Sequence, residues 1–322
     1  PRDSSSVAST TAAISRLYLG CISAVSRPYL NRQALSPVCP GAISAVRLSA
    51  ESLGCLYLYF GRHLGRISAA SSAVLSLMVC PALLDQPGVD ALFAPDAIAR
   101  AKEYLAAIPS GVGAYSDSQG FRIVREQVAD FISSRDGLPA SPEDIFLTDG
   151  ASKGVGFLLS LILRGGGSDG LLVPIPQYPL YSATLALQET HMLGYELDEA
   201  AGWSLPISLL EAELEDAQAK GVATRALVVI NPGNPTGNSL PYDNMVECID
   251  FCAKHGLVLM ADEVYQENIW DGGRPFHSFK KVLMEMSPRP NLQLVSFHST
   301  SKGFLGECGL RGGNFEIVGF DP

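Results

Sequence analysis

Long apolar runs are missing from these 322 residues: the strongest candidates, such as residues 157–163, fall far short of the ~20 apolar residues that span a bilayer. No membrane partner is expected. Cysteine is scarce, with seven residues at irregular spacings and an odd count, which excludes a disulfide framework and points to a reducing compartment. Cys248 and Cys252 stand four apart, but no second ligand pair lies near them, so they read as small packing residues on a helix and no metal site is expected. Basic charge is also in short supply. Lys and Arg total 23 against 33 acids, giving a net charge of −10, which argues against nucleic acid as a partner. Internal repeats and charge runs are absent as well. What is present in quantity is apolar material, 47% against 17% charged, enough for a large core or two packed domains.

The charge is spread unevenly. Residues 1–72 hold seven Arg, fourteen Ser and no Lys, with Asp3 and Glu51 the sole acids, so this stretch carries +5 and leaves −15 for the remainder. Such a composition is that of an organellar transit peptide or of poorly ordered chain, which makes the expected location mitochondrial or cytoplasmic. The chain is accordingly divided into this N-terminal segment (1–72), a helical part (73–110) and a large domain (111–322).

From residue 73 onward, short apolar β-branched runs alternate with longer amphipathic stretches, the signature of an α/β fold with a mostly parallel sheet. Strands are expected at 144–148, 171–174, 226–230, 257–260 and 292–297, with helices at 153–163, 205–220 and 244–255. In such folds ligands bind beyond the carboxyl ends of the strands, which makes the strand ends the candidate site.

After Ile230 comes Asn-Pro-Gly-Asn-Pro-Thr-Gly (231–237), more turn chemistry than leaving a strand requires, although a tight loop alone has the same look. Asp262 sits where the next apolar strand emerges, and a carboxylate there needs a cationic or hydrogen-bonding partner, unless it is a helix N-cap. The fifth strand runs into Phe-His-Ser-Thr-Ser-Lys-Gly (297–303), with Arg311 nine residues beyond Lys302. Lysine is the side chain that attacks carbonyls to form Schiff bases, and the small hydroxyl residues and glycines around Lys302 suit that task. The other lysines differ: Lys280 and Lys281 read as a solvated pair, and Lys102, Lys220 and Lys254 as residues of polar helix faces. Lys153 follows Gly150, Ala151 and Ser152 at a helix start, where free N–H groups favour an anion such as phosphate.

In that order, the Asn-Pro-x-Asn-Pro-Thr-Gly loop, the Asp-x-x-Tyr strand end and the Ser-x-Ser-Lys segment with its downstream Arg resemble the fold-type I pyridoxal-phosphate aminotransferases of class I. Within that class, Pro-Ile-Pro-Gln-Tyr-Pro-Leu-Tyr-Ser (174–182), Ala-Asp-Glu-Val-Tyr-Gln (261–266), the run 276–286 and the run 296–303 with Gly-Glu-Cys (306–308) are similar to alanine aminotransferases. Plant glutamate:glyoxylate aminotransferases share much of the pattern, and the resemblance covers about residues 74–322. It implies a pyridoxal 5'-phosphate cofactor, with a small amino acid and a 2-oxo acid as substrates. Alanine and 2-oxoglutarate come first, glyoxylate second, and a fragment that only binds cofactor is the remaining option.

The resemblance also assigns roles. Lys302 would attach the cofactor and carry the proton during transfer, and Asp262 would face the pyridine nitrogen. Tyr265 and Asn234 would bind the phenolic oxygen, and Tyr178 would stack on the ring. Gly150, Ala151, Ser152, Ser299, Ser301 and Arg311 would hold the phosphate, and Tyr115 would reach across a homodimer to the neighbour's phosphate. Two departures are noted. No convincing glycine-containing segment precedes residue 74, and the chain stops at Pro322, before the C-terminal small domain and its carboxylate-clamping arginine. This chain is therefore expected to bind cofactor but transaminate poorly.

Overall fold

The structure, a computed structural model, describes residues 71–321 apart from 270–273, 304–305 and 307. The transit-peptide reading of 1–72 falls almost wholly outside the described residues. The chain forms two compact units, one ending at Tyr115 and one beginning at Ser116.

In the first unit, α1 (Ser71–Val79), α2 (Val89–Leu92) and α3 (Pro95–Ala107) are joined by a 3-10 turn and short links. Pro95 opens α3 at a position where the missing N–H costs nothing, and the Asp96 carboxylate accepts from the Ala97 N–H at 2.8 Å. Packing of α1 on α3 buries Leu77, Ala97 and Ala101.

The second unit is a seven-stranded sheet. Its strands are β1 (Ile145–Thr148), β2 (Asp169–Ile175), β3 (His191–Glu196), β4 (Ala223–Ile230), β5 (Val258–Asp262), β6 (Leu294–Ser299) and β7 (Gly313–Val318). They lie in the order β1-β7-β6-β5-β4-β2-β3, with β7 antiparallel to both neighbours and the other pairings parallel. Both faces are apolar, as a covered parallel sheet requires. Along β4, Leu227 and Val229 point to one core while Ala226, Val228 and Ile230 point to the other, the period of two that separates the faces of a strand. The first core is closed by α7 (Ile207–Ala219), α8 (Tyr242–His255) and α9 (Phe279–Glu285), the second by α5 (Ala151–Ile162) and α6 (Leu180–Leu187). Near β1, α4 (Arg122–Asp136) buries Ala129 and Ile132 against Ile145. Cys248 and Cys252 are buried packing residues of α8, and burial pushes both thiols up.

The five expected strands are present as β1, β2, β4, β5 and β6, β4 starting at Ala223 rather than 226. Two strands, β3 and β7, lie outside that expectation. The reading of Lys280 and Lys281 as a solvated pair is corrected: Lys280 is 3% exposed, and its ammonium meets the Glu316 carboxylate of β7 at 2.5 Å. The first turn of α9 faces the sheet, so a lysine there needs a buried acid, and Glu316 supplies it.

Candidate active site

Parallel pairing sets three strand ends side by side. Ile230 is in register with Asp262, and Asp262 with Phe297, so the segments leaving β4, β5 and β6 emerge on one edge. The loop after β4 is anchored by Asn231, whose N–H donates to the Asp262 carbonyl at 3.0 Å and whose Oδ1 accepts from Leu240 N at 2.9 Å. That anchor presents Asn234, which donates through Nδ2 to the Tyr265 hydroxyl at 3.0 Å.

Asp262 ends β5 as a buried residue, 6% exposed. Its Oδ2 accepts from the Tyr181 hydroxyl at 2.8 Å, while its Oδ1 is buried with no hydrogen-bond partner among the described residues. Burial pushes the Asp262 carboxyl up; the Tyr181 hydroxyl, a backbone hydrogen bond from Val264 and the Lys302 charge pull it back. The same burial, reinforced by Asp262, holds the Tyr181 phenol well above its usual range. Lys302 is exposed, with its Nζ 5.6 Å from the Tyr265 ring centroid.

A second pole lies at the start of α5. Gly150 precedes the helix with φ +87°, a conformation that disfavours any side chain, and no side chain caps the helix. Ala151 and Ser152 carry the first N–H groups of α5, which by helix geometry have no intrahelical acceptor. Arg311 is drawn alongside: its guanidinium donates to the Asp149 carbonyl at 2.9 Å, the Cys308 carbonyl at 2.9 Å and the Ser301 Oγ at 3.2 Å. A Cβ on Gly150 would stand 2.3 Å from Arg311 Nη2, and one on Gly313 would stand 2.8 Å from the Gly150 backbone. Ser299 Oγ accepts from Ser301 N at 3.1 Å and donates to the Gly312 carbonyl at 3.2 Å, fixing the turn that leads to Lys302.

Of the residues picked from the sequence, Asn234, Asp262, Tyr265 and Lys302 thus gather at one pole, and Gly150, Ala151, Ser152, Ser299, Ser301 and Arg311 at the other. Tyr178 is about half exposed on the segment before α6. Tyr115 belongs to the first unit, and its ring is exposed. The residue that sequence reasoning missed is Tyr181. It lies in the first turn of α6, where it is fully buried and reaches Asp262, and no local sequence signal marks it.

Known proteins match most of the chain. The family model for aminotransferase class I and II matches residues 87–317. Among curated relatives, glutamate–glyoxylate aminotransferase 1 of Arabidopsis thaliana is 54% identical over 251 residues, covering 77% of this chain and 52% of the relative. Alanine aminotransferase 1, mitochondrial, of the same organism is 53% identical over 249 residues, covering 77% and 46%. The chain therefore spans about half the length of the curated relatives it matches. Among solved structures, an aminotransferase from Escherichia coli superimposes with a TM-score of 0.58 at 26% identity, over 68% of this chain and 50% of that one.

Proposed function

Because the chain belongs to the class I and II aminotransferases, we propose that its two poles hold pyridoxal 5'-phosphate and that the whole protein transfers an amino group between L-alanine and 2-oxoglutarate. The observation that carries this reading is the unpartnered Asp262 Oδ1. A buried carboxylate oxygen without a hydrogen bond costs on the order of 1 to 3 kcal/mol, and a protonated pyridine nitrogen is the donor that removes the cost. At the other pole, helix N–H groups, serine hydroxyls and a guanidinium suit phosphate oxygens, and the side-chain-free Gly150 and Gly313 leave the helix start bare.

When bound, the cofactor supplies an aldehyde carbon that takes up amines and a cationic ring that draws electron density from the substrate Cα. The remaining work falls to side chains of this chain. Lys302 Nζ would be the amine that holds the aldehyde carbon and, once free, would take the proton from the substrate Cα and deliver it to that carbon. Asp262 would keep a positive charge on the ring nitrogen, while Tyr181 holds its other oxygen. Asn234 and Tyr265, already hydrogen-bonded to each other, orient the ring through its phenolic oxygen. Tyr178 would cover the ring face, and Ser152, Ser299, Ser301 and Arg311 would hold the phosphate.

A homodimer in which Tyr115 reaches the neighbour's phosphate is part of the same proposal. So is a mitochondrial or cytoplasmic location, the former supported by relatives named as mitochondrial. A second reading, with glutamate as donor and glyoxylate as acceptor, is supported by the 54% identity to the plant enzyme named for that reaction. Assaying the full-length protein with both substrate pairs separates the two. Pyruvate formation from alanine and 2-oxoglutarate at the higher kcat/KM supports the first, glycine formation from glyoxylate the second, and neither product refutes the proposal.

A further inference from the structure

Tyr265 rides on a short turn, residues 264–267, that follows β5. Within the turn, Gln266 N donates to the Glu263 carbonyl at 3.2 Å and Asn268 N to the Tyr265 carbonyl at 2.8 Å. These local bonds do not fix the turn against its surroundings. That task falls to the Gln266 side chain, which is 4% exposed. Its Oε1 accepts from Arg135 Nη1 of α4 at 2.6 Å, and its Nε2 meets His298 Nδ1 of β6 at 2.7 Å.

The proton positions follow from the donor inventory. Arginine only donates, so the amide oxygen of Gln266 must face Arg135 and the NH₂ must face His298. Nδ1 of His298 therefore accepts, and the ring bears its proton on Nε2 as a neutral imidazole. The His298 ring also lies stacked on Phe131 of α4, 6.1 Å between centroids at 14°. Burial and the Arg135 cation push His298 down to about 4, against a backbone hydrogen bond at Glu263 that favours the charged form. The charged groups around this network are Arg135 and Asp136 from α4, Glu263 beyond β5, Lys280 from α9 and Glu316 from β7.

His298 immediately precedes Ser299 and stands four residues before Lys302. On the far side of the turn, a Cβ on Gly303 would stand 3.4 Å from the Glu267 Cβ, so the Lys302 segment runs against the turn that carries Tyr265. We propose that Gln266 is a positioning residue, which clamps the Tyr265 turn to the strand end leading to Lys302 by donating to a neutral His298 and accepting from Arg135. This rests on the cofactor reading above, but its proton assignment does not.

Three variants and two readouts test it. Ring ¹⁵N–¹H correlation NMR of this chain, with His298 assigned by its loss in His298→Gln, reads the tautomer without any cofactor. The wild type is expected to hold the neutral Nε2–H form from pH 5.5 to 8.5. Gln266→Glu keeps an acceptor for Arg135 but offers no donor to Nδ1, so His298 should become an imidazolium with its midpoint above 6. A wild-type ring that carries its proton on Nδ1, or titrates between pH 5.5 and 8.5, overturns the assignment. The second readout is the absorbance of the Lys302-dependent band formed with pyridoxal 5'-phosphate. The near-isosteric Gln266→Met should shift its pH midpoint by half a unit or more and weaken cofactor binding at least fivefold; Gln266→Glu gives the same readout if the Met variant does not fold. An unchanged midpoint and affinity in the folded variant leaves Gln266 a packing residue and overturns the positioning role. Absence of the band in wild type overturns the cofactor reading and the positioning role together, and leaves the tautomer result to be judged by itself.

Discussion

Asp262 and Tyr181 illustrate how much of the site is decided by single hydrogen bonds. One Asp262 oxygen is held by a phenol and the other is buried without a partner among the described residues, so burial raises the carboxyl's pKa. Tyr181→Phe removes the one side-chain partner and leaves the carboxylate with only its backbone hydrogen bond from Val264. It should cost about 1 to 3 kcal/mol in urea denaturation at pH 7 and weaken cofactor binding, whereas an unchanged midpoint would mean that the hydrogen bond contributes nothing. Gly150→Val tests the other pole. Its Cβ would overlap Arg311 Nη2 and its φ of +87° is strained for valine, so cofactor titration should show at least tenfold weaker binding. The residues proposed for this chemistry were legible because they sit at or just beyond the ends of apolar strands, in segments rich in Asn, Pro, Gly and Ser. Tyr181 and Gln266 were not legible, because an inward tyrosine and a buried amide look in sequence like any residue of a helix or turn. Lys280 was misread for a related reason: its partner Glu316 lies 36 residues away, and nothing local announces a buried pair.

At the scale of elements, the segment that follows β5 and the end of β6 carry two opposed titrations, at Glu263 and His298. Burial pushes Glu263 up to about 7, against the Arg135 cation and the Phe279 N–H that its Oε1 accepts at 2.8 Å. The folded state thus holds a proton there that the unfolded chain has released, and stability from this group falls as pH rises from about 4.5 to 7. His298 acts in the other sense. Its folded pKa of about 4 lies below the unfolded value near 6.5, so its contribution is complete above pH 6.5 and is lost as pH falls toward 4. Glu263→Gln keeps an acceptor for Phe279 and removes the first titration. Thermal unfolding of the variant should therefore show stability rising more steeply with pH between 4.5 and 7 than in wild type, by up to about 3 kcal/mol over the interval; a parallel profile would contradict this account. The sheet itself was readable wherever strands are apolar on both faces. β3 escaped because it is an edge strand with exposed His191 and Met192, and β7 because Asn314 and Glu316 break its apolar pattern, although both are buried.

Across the second unit as a whole, the antiparallel β7 links the site to the core. It is inserted between β1 and β6, begins at Gly313 against the Gly150 backbone, and carries Glu316 into its buried pair with Lys280. Lys280→Met leaves the Glu316 carboxylate uncompensated and should cost about 3 to 5 kcal/mol in denaturant unfolding, while the double variant Lys280→Met with Glu316→Leu should recover most of that loss. Equal losses in the single and double variants would show that the charge pair is not what the site needs.

The central claim is that Asp262, Tyr265 and Lys302 form the reacting pole of a cofactor site. Absorbance titration of the protein with pyridoxal 5'-phosphate, in wild type and Lys302→Ala, addresses it directly. The account predicts a visible band in wild type that persists on gel filtration and is abolished in Lys302→Ala. A band that survives the substitution, or none in wild type, would contradict it.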